Sequence, residues 1–183
     1  MASVLIPIAD GSEELEAVTL IDLLRRADIE VVVAGLKDGP VRCSRGTVLL
    51  PDASLDDVLA RDFDMIVLPG GLPGADHLDQ DPRIHSLLKR MADAGRYTAA
   101  ICAAPKVLAN AGLLDGKQAT SFPGVIDGMG LATTRVVALP VVCDGLVITS
   151  RGPGTAMDFA LTLIETLAGA DRRQAVEGPL QRT

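Results

Sequence analysis

The chain has 183 residues, of which 48% are hydrophobic, and a formal net charge of −7. This length predicts one domain, residues 1–183, with a substantial core. No apolar run is long enough to cross a bilayer, so we expect no membrane segment. The acidic charge disfavours nucleic acid as a partner, because phosphate groups need a basic surface. The first residues show no signal-peptide pattern, which predicts a cytoplasmic location.

Short apolar runs alternate with amphipathic segments along the chain. The runs are apolar throughout, as in strands buried on both faces of a parallel sheet, and they predict strands over 4–8, 30–34, 65–68 and 98–101. Apolar periodicity predicts helices over 13–27, 82–94, 105–111 and 155–168. Two hairpins are expected beside the sheet, over 41–50 and 136–149.

This alternation of strands and helices predicts a doubly wound α/β fold, with a mostly parallel sheet between layers of helices. In such sheets, ligands bind beyond the carboxyl ends of the strands. The candidate site segments are therefore those that follow Ile8, Leu68 and Ile101.

A cluster of acidic residues follows the first strand. Ser12 is the expected N-cap of the first helix, and Glu13 and Glu14 suit the helix dipole. Glu16 is different, because helical spacing places it on the apolar arc of that helix. A carboxyl that faces a core must be protonated or paired, so Glu16 is a candidate catalytic group as well as a candidate packing residue.

A glycine-rich turn over 69–74 follows the third predicted strand. Gly70 and Gly71 would let backbone N–H groups point at a ligand, although glycines are also common in ordinary turns. The turn lacks the GK[ST] of a phosphate loop.

Cys102 falls between a buried strand and a helix that begins near Pro105, an arrangement typical of a nucleophile elbow. The nearby helix N-terminus is expected to favour the thiolate. The alternative is a small buried apolar residue, which is the commonest role of a free cysteine. For Cys43 and Cys143, which lie in predicted hairpins, we prefer that structural role.

The odd number and wide spacing of the cysteines predict reduced thiols, with neither a disulfide framework nor a metal site. The only histidines are His77 and His85, and both are predicted to be surface residues. A cysteine protease triad would need a histidine to accept the thiol proton.

Several motifs together resemble the ThiJ/PfpI superfamily, most closely its branch of parkinsonism-associated protein deglycases and the bacterial oxidative-stress chaperone YajL. The matching segments are GSEELEAV, CSRG, PDASLDDV, VLPGG, AAICAAP and TSRGPGT before FALTLIETL. They extend from the first strand to the last predicted helix, so the resemblance covers nearly the whole chain.

The resemblance implies a flavodoxin-like sandwich, as in class I glutamine amidotransferases, a homodimer and no cofactor. It implies Cys102 as nucleophile and oxidation sensor, with Glu16 as its protonated partner. Gly70, Gly71 and Ala103 correspond to backbone donors of the pocket. Two further positions, Arg26 and Arg45, match arginines associated with an anion near the dimer interface.

The chain departs from the pattern at two positions. Phe122 stands before Pro123 where several relatives carry a histidine, a feature shared with the YajL type. Ala103 follows the cysteine where the protease-like branch has a histidine, which argues against peptidase activity.

Three functions remain open from the sequence. The first is an enzyme that acts on a small aldehyde or a glycated substrate, such as methylglyoxal, glyoxal or an early glycation adduct. The second is a redox-sensing chaperone for unfolded client proteins, whose Cys102 is oxidised to a sulfinate. The third is a non-catalytic pocket that binds a small anion.

Overall fold

A seven-stranded sheet forms the centre of the protein, which a computed structural model describes for residues 1–182. These residues contain eleven strands: β1 Ser3–Ile8, β2 Glu30–Gly35, β3 Val41–Arg42, β4 Val48–Leu49, β5 Ala53–Ser54, β6 Met65–Leu68, β7 Tyr97–Ile101, β8 Gln118–Ala119, β9 Arg135–Val136, β10 Val141–Asp144 and β11 Val147–Ser150. The central sheet has the order β10-β11-β7-β6-β1-β2-β5, and only the β10–β11 pair in it is antiparallel.

The same part of the chain forms seven helices that flank the sheet: α1 Glu14–Arg26, α2 Leu55–Val58, α3 Gly74–Gln80, α4 Pro82–Asp93, α5 Pro105–Asn110, α6 Ala156–Ala168 and α7 Ala170–Glu177. Helix α4 illustrates why these segments are helical. It begins at Pro82, whose ring suits a first helical position, and the side chain of Asp81 caps it by accepting the N–H of Arg83. Its apolar residues recur at helical spacing and are buried: Ile84, Leu87, Leu88 and Met91.

The sheet is buried on both faces. Successive residues of β1 alternate between two cores: Val4 and Ile6 pack in the core that contains α1 and α6, and Leu5 packs in the core that contains α3, α4 and α5. This alternation explains why the strands are apolar at every position rather than at every second one.

The predicted flavodoxin-like, doubly wound sheet is confirmed. Strands β2, β1, β6, β7 and β11 follow the order typical of that fold, with helices on both faces. The four predicted strands and the four predicted helices are present within one residue at each end. None of the helices within residues 1–182 combines the length and the hydrophobicity that a membrane span requires.

The second predicted hairpin needs correction. Strands β10 and β11 do form a hairpin, with Gly145 and Leu146 as its turn, but they are part of the central sheet, with β11 parallel to β7. Val136 belongs to β9, which instead pairs with β8 in a separate two-stranded sheet. The first hairpin is confirmed as the antiparallel pair β3–β4.

Candidate active site

Three loops meet at the carboxyl ends of neighbouring strands. Because β1, β6 and β7 are adjacent in the sheet, the loops that follow them lie side by side. They bring Glu16 of α1, the Gly70–Gly71 turn and Cys102 together, as the sequence predicted.

Cys102 occupies a sharp turn between β7 and α5. Its φ angle is 64°, in the left-handed region that residues with a side chain seldom adopt. The turn is held by its N–H, which donates to the carbonyl of Ser150 at 3.0 Å. The residue is only 9% exposed. The geometry is that of the predicted nucleophile elbow.

Glu16 is completely buried on the apolar face of α1, also as predicted. Its Oε2 accepts a hydrogen bond of 2.8 Å from the N–H of Gly70. Its Oε1 is buried and has no hydrogen-bond partner within residues 1–182. Burial of a carboxyl with an unsatisfied oxygen costs free energy, so Glu16 lowers the stability of the fold.

The cap of α1 was predicted wrongly. The N-cap is Glu13, whose side chain accepts the N–H of Glu16 at 2.8 Å, and not Ser12. Ser12 is buried, and its hydroxyl accepts the N–H of Ala9 to close the turn after β1. The helix therefore begins one residue later, and its capping bond also fixes the backbone of Glu16.

Gly70 lies between the carboxyl and the thiol. A Cβ at this position would lie 2.6 Å from Cβ of Cys102 and 2.8 Å from Oε2 of Glu16. Atoms that are not bonded to each other do not approach so closely in folded proteins. Glycine is therefore required at position 70 for the close approach of Glu16 and Cys102.

The backbone donors of the site are the N–H groups of Gly71 and Ala103, and each acts to lower the pKa of the Cys102 thiol against the effect of burial. Such donors are suited to hold negative charge that develops next to the sulfur. The prediction that Gly70 also serves a ligand is corrected, because its N–H is already bonded to Glu16.

The protonation of the pair differs from the prediction of a preformed thiolate. Burial raises the pKa of Glu16 to about 7, against the opposing effects of the Gly70 N–H and of the contact with Cys102. Burial, followed by the negative charge of Glu16, raises the pKa of Cys102 to about 12. Two negative charges cannot share this buried space, so near neutral pH the pair retains at least one proton, on the thiol, while Glu16 is partly ionised.

Phe122 and Gly152 complete the rim of the site. Phe122 donates its N–H to the carbonyl of Cys102 at 2.9 Å, and the residue is 49% exposed. A Cβ on Gly152 would lie 3.9 Å from Sγ of Cys102. The sequence did not predict a role for Gly152. The residue does lie within TSRGPGT, one of the segments that carry the family resemblance.

Both histidines bond elsewhere. Nδ1 of His77 lies 2.8 Å from the carbonyl oxygen of Asp10, on helix α3 rather than on the predicted surface loop. His85 is partly buried and bonds to Asp79. Within residues 1–182, no group of three or more acidic, cysteine or histidine side chains is arranged to hold a metal ion.

The remaining cysteines differ from each other. Cys43 is buried, in agreement with the predicted structural role, and burial raises its pKa to about 11. Cys143 is exposed on β10, so a buried packing role is wrong for it.

The two predicted anion-binding arginines are far apart in one chain. Arg26 ends α1 and is paired with Asp22 at 2.7 Å. Arg45 lies by the first turn of the same helix, where its backbone N–H donates to Glu14. Since α1 is 13 residues long, about 18 Å separates its two ends.

Comparison with known proteins identifies close relatives. The Drosophila melanogaster protein dj-1beta is 46% identical over 175 residues, which cover 95% of this chain and 94% of that protein. The crystal structure of Drosophila DJ-1beta superposes with a TM-score of 0.95 at 44% identity, covering 100% of this chain and 98% of that one.

Two further relatives bear names that concern function. The Caenorhabditis elegans protein named glutathione-independent glyoxalase DJR-1.2 is 38% identical over 179 residues, covering 98% of this chain and 95% of that protein. The structure named Toxoplasma gondii DJ-1, oxidized, has a TM-score of 0.93 at 37% identity and covers 98% of each chain. Residues 2–166 match the DJ-1/PfpI family. This chain therefore belongs to the DJ-1/PfpI family.

Proposed function

We propose that this protein is a cysteine-dependent glyoxalase or deglycase that acts on reactive carbonyls in stress protection. The observation that carries the proposal is the buried contact of Glu16 with Cys102, in which burial raises the pKa of the carboxyl to about 7. A base whose pKa lies near the working pH is well suited to move protons during catalysis. The glyoxalase name of the Caenorhabditis relative supports the same class of reaction.

The first step is addition of the thiol to the aldehyde carbon of a 2-oxoaldehyde such as methylglyoxal. As the C–S bond forms, the carboxylate of Glu16 accepts the thiol proton, so the sulfur need not be ionised in advance. The carbonyl oxygen gains the negative charge and accepts hydrogen bonds from the N–H groups of Gly71 and Ala103. Protonation of that oxygen gives a hemithioacetal on Cys102.

The second step is an internal oxidation and reduction. Glu16 moves the proton of the former aldehyde carbon to the neighbouring carbon, and the hydroxyl proton on the first carbon passes to the oxygen of the neighbouring ketone. The neighbouring carbon thereby becomes a hydroxyl-bearing carbon while the first becomes a thioester. No external oxidant is consumed, because one carbon is oxidised as the other is reduced. Water then cleaves the thioester and releases a 2-hydroxy acid, lactate from methylglyoxal, together with the free thiol.

Early glycation adducts extend the same chemistry. When the aldehyde carbon carries an amine, formation of the C–S bond breaks the C–N bond, and the thiol proton leaves with the repaired amine. The hemithioacetal that remains follows the steps above, so no cofactor is required for either substrate. The three free cysteines suit a reducing location such as the cytoplasm.

A second function, a redox-sensing chaperone for unfolded clients, is favoured by the unpartnered Oε1 of Glu16 among residues 1–182. When protonated, this carboxyl has a hydrogen-bond donor beside the sulfur, and a sulfinate oxygen on Cys102 would accept it. The oxidized state named for the Toxoplasma relative supports this proposal.

We propose in addition that two copies of the chain associate through an apolar face of α1 and the β3–β4 hairpin. This face contains four exposed apolar side chains: Leu15, Val18, Val48 and Leu50. Exposed apolar surface of this kind marks association sites. A second copy is also what would bring an Arg45 from one chain near an Arg26 from the other, as an anion site between protomers requires.

Substitution of the reactive pair tests the proposed enzyme. Cys102→Ser is expected to abolish the consumption of methylglyoxal, and Glu16→Gln to lower kcat/KM by about 100-fold or more, because the base is lost. Cys143→Ser is the matched control, since its thiol is exposed and distant in the fold. Unchanged methylglyoxal consumption in Cys102→Ser would reject the proposed activity.

The pH dependence follows from the ionisation of Glu16. Only the carboxylate accepts the thiol proton, so kcat/KM is expected to rise with pH, to be half-maximal at about pH 7, and then to level off. Initial rates measured from about pH 5 to about pH 9, a range that brackets this pKa, would show the rise. Retention of the same profile by Glu16→Gln would assign the rise to another group.

Oxidation tests the second function. Mild peroxide is expected to add two oxygens to Cys102, visible as a mass increase that peptide mapping assigns to this residue. Glu16→Gln should alter the stability of that sulfinate, and suppression of client aggregation should depend on the oxidation state. Oxygen gained at Cys43 instead would count against the sensor.

The proposed dimer is tested by charge insertion. The chain of 19.0 kDa is expected to elute with twice that mass in size-exclusion chromatography with light scattering. Leu50→Asp should shift the protein to monomer, because Leu50 is 78% exposed in the single chain and would place a charge in the interface. Leu139→Asp, at another exposed apolar side chain, is the control and should remain dimeric. A monomeric wild type would refute the proposal.

A further inference from the structure

A cavity separate from the reactive pair opens beyond the carboxyl ends of β1 and β2. Its volume is about 380 Å³, and Ala9, Asp10 and Leu36 from the loops after these strands line it, whereas Glu16 and Cys102 do not. The volume lies within the range of about 300–1,000 Å³ that is typical of small-molecule sites. Ligands of doubly wound sheets bind at this edge of the sheet, so the cavity lies where a binding site is expected.

The charged side chains of this cavity are paired with each other. Lys37, on the loop after β2, forms an ion pair with Asp10, on the loop after β1, with 2.5 Å between Nζ and Oδ2. The guanidinium of Arg83 is bonded to Asp81 at 2.6 Å and to the carbonyl of Leu36 at 2.7 Å, so it fixes the wall of the cavity. A charged ligand would have to break one of these pairs, and the cavity therefore favours a neutral molecule.

Two neutral polar groups of α3 are available to a ligand. Nδ1 of His77 lies 2.8 Å from the carbonyl oxygen of Asp10, and because a carbonyl can only accept, Nδ1 carries a proton and Nε2 of the neutral ring is an acceptor. Within residues 1–182, no hydrogen bond uses Nε2 of His77 or the side-chain amide of Gln80. The two residues are three positions apart on one helix and both line the cavity, so they offer an acceptor and an amide side by side.

Apolar surface forms much of the remaining lining, from Ala9, Leu36, Val41 and Pro82. A molecule that fits this lining has an apolar body with one polar edge, because the polar groups free to bind lie together on α3. A carboxamide edge supplies an N–H donor for Nε2 of His77, and it supplies both a donor and an acceptor for the amide of Gln80. A flat ring attached to that edge would contact the apolar walls.

We infer that this cavity binds a neutral aromatic or heteroaromatic carboxamide, whose amide edge is recognised by His77 and Gln80. The inference assigns the protein a ligand site in addition to the proposed catalytic one. It does not rest on the carbonyl chemistry, because no residue of the reactive pair lines the cavity.

Nicotinamide, a neutral ring with a carboxamide, is the probe for this site. Titration of the full-length protein, followed by heteronuclear NMR, is expected to give a Kd in the millimolar range, with the largest shifts at the backbone amides of Leu36, Lys37 and Gln80. Nicotinate has the same ring with a charged carboxylate, and N,N-dimethylnicotinamide lacks the N–H donors. Each should bind about fivefold more weakly than nicotinamide, and equal binding of all three would overturn the inference.

Two conservative variants test the recognition of the amide edge. His77→Asn keeps a side-chain N–H that can donate to the carbonyl of Asp10 and removes the acceptor at the position of Nε2. Gln80→Met keeps the length of the side chain and removes its amide. Each should weaken nicotinamide about fivefold, and unchanged affinity in both would refute the assignment. The matched controls are His85→Gln and Gln118→Met, the same residue types outside the cavity, and both should bind as wild type does.

Cys102→Ser separates the cavity from the reactive pair. This variant should bind nicotinamide with the affinity of wild type, whereas loss of binding would place the ligand at the pair and contradict the inference. If wild type consumes no methylglyoxal but binds nicotinamide with the preferences given above, the proposed enzyme fails and the second site stands. If methylglyoxal is consumed but nicotinamide causes no shifts at the cavity, the second site alone fails.

Discussion

The site depends on one constraint, the burial of a carboxyl group against a buried thiol. Neither Glu16 nor Cys102 has enough water around it to ionise at its ordinary pKa, and each resists the negative charge of the other. The pair therefore holds a proton that a small change in geometry or in pH can move. The glycine at position 70 permits the contact, and in the proposed reaction the N–H groups of Gly71 and Ala103 would stabilise the negative charge on the substrate oxygen.

The backbone conformation of Cys102 and the burial of Glu16 both lower the stability of the fold, which favours a functional role for the two residues. A residue with a side chain in the left-handed region costs on the order of 1–3 kcal/mol, and Cys102 adopts it without being a glycine. Oε1 of Glu16, which has no hydrogen-bond partner in the described part of the chain, adds a further cost, since a buried polar atom without a partner loses its hydration. Both costs fall on residues that meet beyond the carboxyl ends of β1 and β7, Glu16 in α1 and Cys102 directly after β7. A sequence selected for stability alone would place glycine or asparagine at 102 and an apolar residue at 16.

The sequence predicted those parts of the structure that depend on burial along a single element. Strands such as β6 are apolar at every position because both faces are covered, and α1 has a carboxyl on its apolar face, so helical spacing alone distinguishes Glu16 from its acidic neighbours. The sequence did not predict features that depend on which segments meet in space. The Gly70 N–H is taken by a carboxyl 54 residues away, and the thiol pKa is raised by burial that no local pattern reports. The turn between β10 and β11 was predicted, but the place of these strands in the central sheet follows from pairing with β7, which lies far away in sequence.

The absence of a histidine from the catalytic pair has a mechanistic consequence. His77 and His85 are bonded to Asp10 and Asp79, so in the proposed reaction Glu16 must both take the thiol proton and return a proton to carbon. The two proposed functions place different demands on that proton. Peroxide reacts with the thiolate, which requires the proton to leave before oxidation, and a raised thiol pKa slows that route. Addition to a carbonyl lets the proton move to Glu16 while the C–S bond forms, so a raised thiol pKa is no obstacle as long as the carboxylate is ionised. The raised pKa of the Cys102 thiol is therefore more compatible with the proposed addition to a carbonyl than with the proposed oxidation, because in the addition Glu16 accepts the proton as the C–S bond forms.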